Sequence, residues 1–320
     1  MRAVGYRAAG SPAVLDDLDL PEPEPGPHDL RVRVEAVSVN PVDVKVRAGS
    51  DPGPDGPRVL GFDAAGVVEA VGSQVTLFAP GDEVYYAGSI DRPGSNQRLH
   101  LVDERITGRK PRSLSFADAA ALPLTTITAW ESLFDRLQLT AGSTGTLLIL
   151  GAAGGVGSML TQLARTLTKL TVVGTASRPD SRQWVLDLGA HEVVDHDRLP
   201  ECDYVFSPFT AGRIEDFARI LRPGGHVVAI DEPPGLDLLP LKAKSISFHW
   251  ELMFTRPLFQ AHDLAVHHEL LNQVADLVDA GRVRTTATTT LPRIDADHLR
   301  QAHELVEDGH VTGKVVLAGF

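Results

Sequence analysis

The sequence predicts an α/β protein in two parts: a small, mainly β domain and a doubly wound parallel sheet with helices on both faces. Three observations carry this. The chain has 320 residues, about twice a common domain length. Its first third strings short apolar runs between proline- and glycine-rich turns. From Thr146 onward, near-continuous apolar runs alternate with helix-like segments, and the first junction is the glycine-rich stretch LLILGAAGGVGSMLTQLA, 147–164.

In chain order, LRVRVEAV (30–37) alternates with the period of a half-buried strand. PEPEPGP (21–27) and DPGPDGP (51–57) continue neither a helix nor a central strand, and read as exposed loops. GVVEAVG (66–72) and GDEVYYAG (81–88) read as further short strands. SFADAAALPLTTITAWESLF then sets apolar residues at helical spacing, with Ser115 at the N-cap. TLLILG, LTVVGTA, HEVVDH, CDYVFSP and GHVVAI follow as strands, with helices over 157–169, 179–188 and 212–221 between them. Strands this apolar belong to a parallel sheet buried on both faces. Beyond residue 260 come a helix, the strand TTATTTL, a helix over Ala296–Glu307 and a last strand, KVVLAG.

Composition removes several function classes. A formal charge of −12 provides no net basic field, so nucleic acid is not an expected partner. No run approaches the roughly 20 apolar residues of a membrane span. The opening MRAVGYRAAGSPAVL lacks the apolar core of a signal peptide, which predicts a cytoplasmic protein. A single cysteine, Cys202, allows neither an internal disulfide nor a cysteine-built zinc site.

The elbow Gly151, Ala152, Ala153, Gly154, Gly155, Val156, Gly157 aligns with the dinucleotide fingerprint, Ala152 standing at the first glycine and Gly154 and Gly157 at the second and third. The first small residue permits the turn, Gly154 admits pyrophosphate to the backbone, and Gly157 lets helix pack on strand. The next strand ends Val-Val-Gly-Thr-Ala-Ser-Arg, with no carboxylate for the ribose hydroxyls. Ser177 and Arg178 instead offer a hydroxyl and a positive fork for a 2′-phosphate, which favours NADPH over NADH. The plainer alternative for Arg178 is a solvated arginine opening the helix at Pro179.

VNPVDVKVRAG (39–49), GFDAAGVVEAVG (61–72), GDEVYYAG, AAALPLTTITAWESL (119–133), GAAGGVGSM (151–159), LRPGGHVVAI (221–230) and HVTGKVVL (310–317) together resemble the medium-chain dehydrogenase/reductase superfamily, in its quinone-oxidoreductase-like branch, over essentially the whole chain. The resemblance implies a GroES-like catalytic domain from 1–122 and 264–320, a Rossmann domain from 123–263, a cleft between them, and a homodimer through an edge strand. Zinc-dependent members of the superfamily place a cysteine at Asn40, a His-Glu pair at Phe62-Asp63 and another cysteine near Leu124. Only the carboxylate survives here, so no metal is expected. The cluster His262, His267 and His268 lies outside those positions and reads as surface residues.

The same resemblance implies the remaining site residues. Asn40, Asp43 and Lys45 would line the cleft near nicotinamide, with Asn40 donating to a substrate oxygen and Lys45 stabilising an anion. Asp43 has a competing structural role, bonded to backbone or to Lys45. Thr128, more than Thr125, would touch nicotinamide, and Tyr86 would either reach the cleft or pack. Phe206, Ser207 and Ile230 would end strands at the ligand edge. Met253 and Phe254 would cover the cofactor or else lie in a core. His196 would stand near adenosine, and Lys314 near the bound nucleotide. Without a Lewis acid, reduction of a quinone or an α,β-unsaturated carbonyl by NADPH is the expected chemistry. A zinc-dependent alcohol dehydrogenase and a catalytically weak NADPH-binding sensor are the alternatives.

Overall fold

The computed structural model describes residues 1–54 and 56–320; of the predicted loop 51–57, Asp55 lies outside the described residues. The chain divides into two compact units, Thr125–Met253 and a second built from Met1–Leu124 together with Phe254–Phe320.

Thr125–Met253 is built on a six-stranded, all-parallel sheet. Its order is Glu192–Val194, Thr171–Thr175, Thr146–Ile149, Cys202–Ser207, Leu221–Ala229, Ser247–Trp250. The chain runs outward from Thr146–Ile149 to one edge, then returns to fill the other half. That places a topological switch between Thr146–Ile149 and Cys202–Ser207, paired through Phe206 and Ile149. Ligands collect at the carboxyl ends of strands at such a switch. Helices Gly155–Leu167, Pro179–Asp187 and Ile214–Ile220 connect the strands. One face buries Leu148, Val205, Phe217, Val227 and Leu241, which is why these strands read as continuous apolar runs. The sixth strand, Ser247–Trp250, does not stand out in the sequence. It pairs on one side only and presents Trp250 to solvent, so SFHW lacks the apolar run of an inner strand.

The stretch expected to be helical from Ser115 is three pieces. Ser115 Oγ accepts the Asp118 N–H at 3.1 Å to cap Phe116–Ala120. Pro123 cannot donate to the preceding turn, so a new helix opens there, Pro123–Trp130, and runs into a π-helical turn at Glu131–Arg136.

The other unit carries a seven-stranded sheet. Its path is Ala287–Leu291, Lys314–Ala318, Asp29–Val39, Ala64–Val71, Glu83–Tyr86, Thr107–Arg109, and Leu99–Asp103 also pairs with Asp29–Val39. The C-terminal strand lies antiparallel to Asp29–Val39 with Val315 opposite Val39, a register that sets Lys314 beside Asn40. The chain returns to this unit at Phe254 rather than at 264, because the Phe254 ring packs edge-on against Phe62 with centroids 5.4 Å apart.

Helix Pro41–Gly49 follows directly on the Asp29–Val39 strand. Arg47, almost fully buried on it, donates to the Gly10 carbonyl at 3.0 Å, meets His303 Nδ1 at 3.1 Å and pairs with Glu307. That guanidinium ties the helix to Ala296–Glu307. His267 is buried within helix Val266–Asp279, which corrects its reading as a surface residue; the helix turns Leu270, Leu271 and Val274 inward with it. Among the described residues, no helix is long and apolar enough to cross a membrane.

Candidate active site

In the unit formed by the two ends of the chain, four segments converge on one buried carboxylate. Asp63 is fully buried. Its Oδ2 accepts from Asn40 Nδ2 at 2.8 Å and from Lys314 Nζ at 3.1 Å; its Oδ1 accepts the Leu124 N–H at 2.7 Å, at the start of Pro123–Trp130. Lys314, 4% exposed, also donates to the Val39 carbonyl at 3.0 Å and to Asn40 Oδ1. Three acceptors thus take up the three N–H bonds of the ammonium. Burial pushes the Asp63 carboxyl up, and the ammonium pulls it back.

These are the positions that the resemblance associates with zinc ligation: Asn40, Phe62-Asp63 and the neighbourhood of Leu124. In this chain they hold a carboxamide, a phenyl ring, a carboxylate and a backbone amide around an ammonium. Zinc takes thiolate, imidazole and carboxylate donors, and a divalent ion beside a buried ammonium is electrostatically opposed. The residues present do not fit zinc. Among the described residues, no group of three or more His, Cys, Asp or Glu side chains could hold a metal ion.

Asp43 has a structural assignment. Its two oxygens accept the Asn40 N–H and the Gly61 N–H, each at 2.9 Å. It orients the segment that carries Asn40, while burial pushes its carboxyl up to about 7. Lys45 is exposed, two residues from the buried Asp43 and on another face of the helix. Tyr86 packs: its hydroxyl meets His100 Nδ1 at 3.1 Å. His100 Nε2 lies 2.9 Å from the Pro93 carbonyl, so Nε2 carries the proton and Nδ1 accepts from Tyr86. Phe254 belongs to the core contact with Phe62.

Thr125–Met253 contains the elbow. Gly151 takes a left-handed φ of 63°, and its N–H donates to Thr175 Oγ1 at 3.0 Å. A Cβ on Gly157 would fall 2.5 Å from the Gly151 carbonyl oxygen and 2.6 Å from Ala152 Cα. Here glycine is required for the helix to pack against the turn. Ala152 and Gly157 are buried, whereas Gly151, Ala153, Gly154, Gly155 and Val156 form a half-exposed rim. Gly154 is the N-cap of Gly155–Leu167, whose first N–H groups and positive dipole end suit a phosphate. Backbone donors and a turn without side chains fit a dinucleotide pyrophosphate.

Ser177 and Arg178 are exposed at the end of Thr171–Thr175, the strand next to the elbow strand. His196 is half-buried, and Arg213 donates to its carbonyl at 3.0 Å. Phe206 is buried beneath the switch point, and Ile230 is half-buried at the end of its strand. Ser207 turns its hydroxyl into its own loop, donating to the Phe209 carbonyl at 2.8 Å. Thr128 and Met253 are buried in this unit. Two participants were missed in the sequence. Thr175 was available as the hydroxyl closing an otherwise apolar strand. Arg182 ties the segment after Thr171–Thr175 to the strand Glu192–Val194 by donating to the Ala176 and Val193 carbonyls, and no sequence pattern marks it.

Comparison with known proteins bears on both units. Residues 26–123 match the family model described as alcohol dehydrogenase GroES-like domain, and residues 188–317 the one described as zinc-binding dehydrogenase. A zinc-type alcohol dehydrogenase-like protein of Staphylococcus epidermidis is 38% identical over 299 residues, covering 88% of each chain. The NADPH-dependent alkenal/one oxidoreductase of Arabidopsis thaliana chloroplasts is 30% identical over 88% of this chain and 69% of its own. Among solved structures, a Rhizobium etli CFN 42 protein provisionally described as a zinc-dependent alcohol dehydrogenase superposes with a TM-score of 0.95 at 50% identity, over 100% of this chain and 98% of that one. The quinone oxidoreductase of Pseudomonas syringae pv. Tomato DC3000 does so at 0.85 and 27%, over 99% of both.

Proposed function

This chain belongs to the medium-chain dehydrogenase/reductase superfamily, in its quinone-oxidoreductase-like branch, and we propose that it is a zinc-independent, NADPH-dependent reductase of quinones or α,β-unsaturated carbonyls. The observation that carries this reading is the Lys314 ammonium hydrogen-bonded to Asp63 and Asn40 at the centre of the ligand positions. The donor set does not fit zinc, so the chain's own hydrogen-bond donors take its place.

The elbow and the Gly155–Leu167 N-terminus would hold the pyrophosphate, with Ser177 and Arg178 on the adenosine 2′-phosphate. Bound NADPH supplies the hydride. The chain's own task is to receive the negative charge that develops on the substrate oxygen. Asn40 Nδ2 gives one N–H to Asp63 and has a second. The ammonium on Asn40 Oδ1 polarises the amide and strengthens that second donor, so the pair acts as a fixed oxyanion partner. Quinones and enones are already activated by conjugation, so hydride addition needs this stabilisation of the resulting anion, and a proton from water then completes the reduction. The relatives acting on alkenals and alkenones and on quinones support the substrate class. From the family resemblance we expect a homodimer joined through an edge strand of the parallel sheet, for which Ser247–Trp250 is the candidate, and a cytoplasmic location.

The test is a fluorescence titration of metal-free protein with NADPH and NADH, followed by a quinone and an enone. Preferential NADPH binding, then oxidation on addition of substrate, is the expected result. Preference for NADH, or turnover only after zinc is restored, overturns the cofactor or the metal-free mechanism respectively. Tight NADPH binding without turnover on any quinone or enone favours the sensor.

A further inference from the structure

The outermost strand of the parallel sheet, Ser247–Trp250, pairs with Leu221–Ala229, and the Glu251 N–H extends that pairing by donating to the Ala229 carbonyl at 2.9 Å. The Glu251 carboxyl points into the protein. It is buried, its Oε2 accepts Arg136 Nε at 2.8 Å, and it is hydrogen-bonded to the carboxyl of Glu131, which is itself buried. All three residues lie within Thr125–Met253. The π-helical turn Glu131–Arg136 makes this meeting possible. At 3.6 residues per turn, positions five apart point about 140° away from each other. Here the Leu137 N–H reaches back five residues to the Ser132 carbonyl, at 3.1 Å, and the wider turn brings Glu131 and Arg136 to one side.

Two carboxyls hydrogen-bond each other only while one of them holds a proton. Charge makes the same demand. One guanidinium balances one carboxylate, and Asp135, half-buried on the same turn, also acts on Arg136. Burial first, and then Glu131, push the Glu251 carboxyl far up, against the pull of Arg136. His249 on the edge strand and His226 on its neighbour, with Nε2 and Nδ1 3.1 Å apart, complete the surroundings. Burial holds both imidazoles below their usual value, so at neutral pH they add no charge.

We propose that Glu131 and Glu251 share one proton, and that this proton is a pH-sensitive latch clamping the edge strand Ser247–Trp250 to the π-helical turn. Its loss sets two buried carboxylates against each other and loosens the strand. The folded protein keeps a proton that the unfolded chain, whose glutamates ionise near pH 4.3, has already released. The stability contributed by the pair is therefore complete below that pH and is lost as pH rises toward the folded value.

The experiment compares urea unfolding of the full-length protein, wild type, Glu251→Gln and Glu131→Gln, between about pH 6.5 and 8. A glutamine amide donates where the shared proton stood and does not titrate, so either variant keeps the contact without the proton. Relative to each variant, the folded-to-unfolded ratio of wild type should fall about tenfold per pH unit, the slope of one proton. Groups that titrate elsewhere are common to all three proteins and cancel. Amide hydrogen exchange in Ser247–Trp250 should be equal in the three at about pH 6.5, and faster in wild type than in either variant at about pH 9. Parallel pH slopes in wild type and Glu251→Gln overturn the shared proton. A slope flattened by Glu251→Gln but not by Glu131→Gln gives the proton to Glu251 alone and overturns the pair. Flattened slopes with unchanged exchange in the strand overturn the latch.

Discussion

Lys314 and Asp63 are both buried, so neither charge has water to turn to if its partner is removed. Lys314→Met should therefore destabilise the protein by about 3–5 kcal/mol, the range for breaking a buried ion pair from one side. Adding Asp63→Asn removes the stranded charge, so the double variant should cost clearly less than the sum of the singles in urea unfolding. Strict additivity would mean that the two side chains do not act as a pair. His100 gives a second residue-scale expectation. Burial pushes its imidazole down to about 4, so the folded protein keeps it neutral while the unfolded chain takes a proton below about 6.5. Its contribution is fully present above pH 6.5 and is lost as pH falls toward 4. His100→Gln should remove about 1.4 kcal/mol per pH unit from the slope of stability between pH 6 and 4.5. The buried His303 titrates in the same direction, so part of the slope remains. At this scale the sequence was least informative. Asn40 could be marked as a departure from a ligand set and Asp63 as its surviving carboxylate, but 251 positions separate Asp63 from Lys314 and only strand register joins them.

Within the elbow, two glycines separate folding from binding. A Cβ at position 157 would fall on rigid backbone, 2.5 Å from the Gly151 carbonyl oxygen, and neither element can yield without opening the turn. At Gly154 a Cβ would meet only that same oxygen, at 3.4 Å, an ordinary contact. Gly157→Ala should lower both the melting temperature and NADPH affinity. Gly154→Ala should cost at most about 1 kcal/mol of stability, the scale of an N-cap change, while still losing pyrophosphate binding. If Gly154→Ala binds NADPH normally, the phosphate does not sit over this turn. Elements of this kind were legible because their patterns are local. The strand–elbow–helix order, the Ser115 cap and the Ala296–Glu307 helix each follow from residues within a few positions of one another. Ser247–Trp250 and the π-helical turn at Glu131–Arg136 did not announce themselves. The first owes its strand state to its neighbour Leu221–Ala229, and the second continues a helix without any breaker residue.

For the whole molecule, the proposed cofactor and zinc are expected to act differently on stability. A ligand that binds only the folded state stabilises it by an amount set by its concentration over Kd, about 2.7 kcal/mol at a hundredfold excess. NADPH should raise the melting temperature accordingly, and NADH at the same concentration should raise it less if Ser177 and Arg178 recognise the 2′-phosphate. Zinc should do neither. The cavity it would need is already filled by an ammonium with three acceptors, so zinc must displace Lys314 and leave a lysine buried without its partners. Chelation followed by dialysis should therefore change neither the melting temperature nor the rate of quinone-dependent NADPH oxidation, and zinc-loaded protein should release its metal on gel filtration. One zinc per chain surviving that step, with a rise in melting temperature, would mean that Lys314 is expelled from the site. The metal-free chemistry argued from its position would then fall with it.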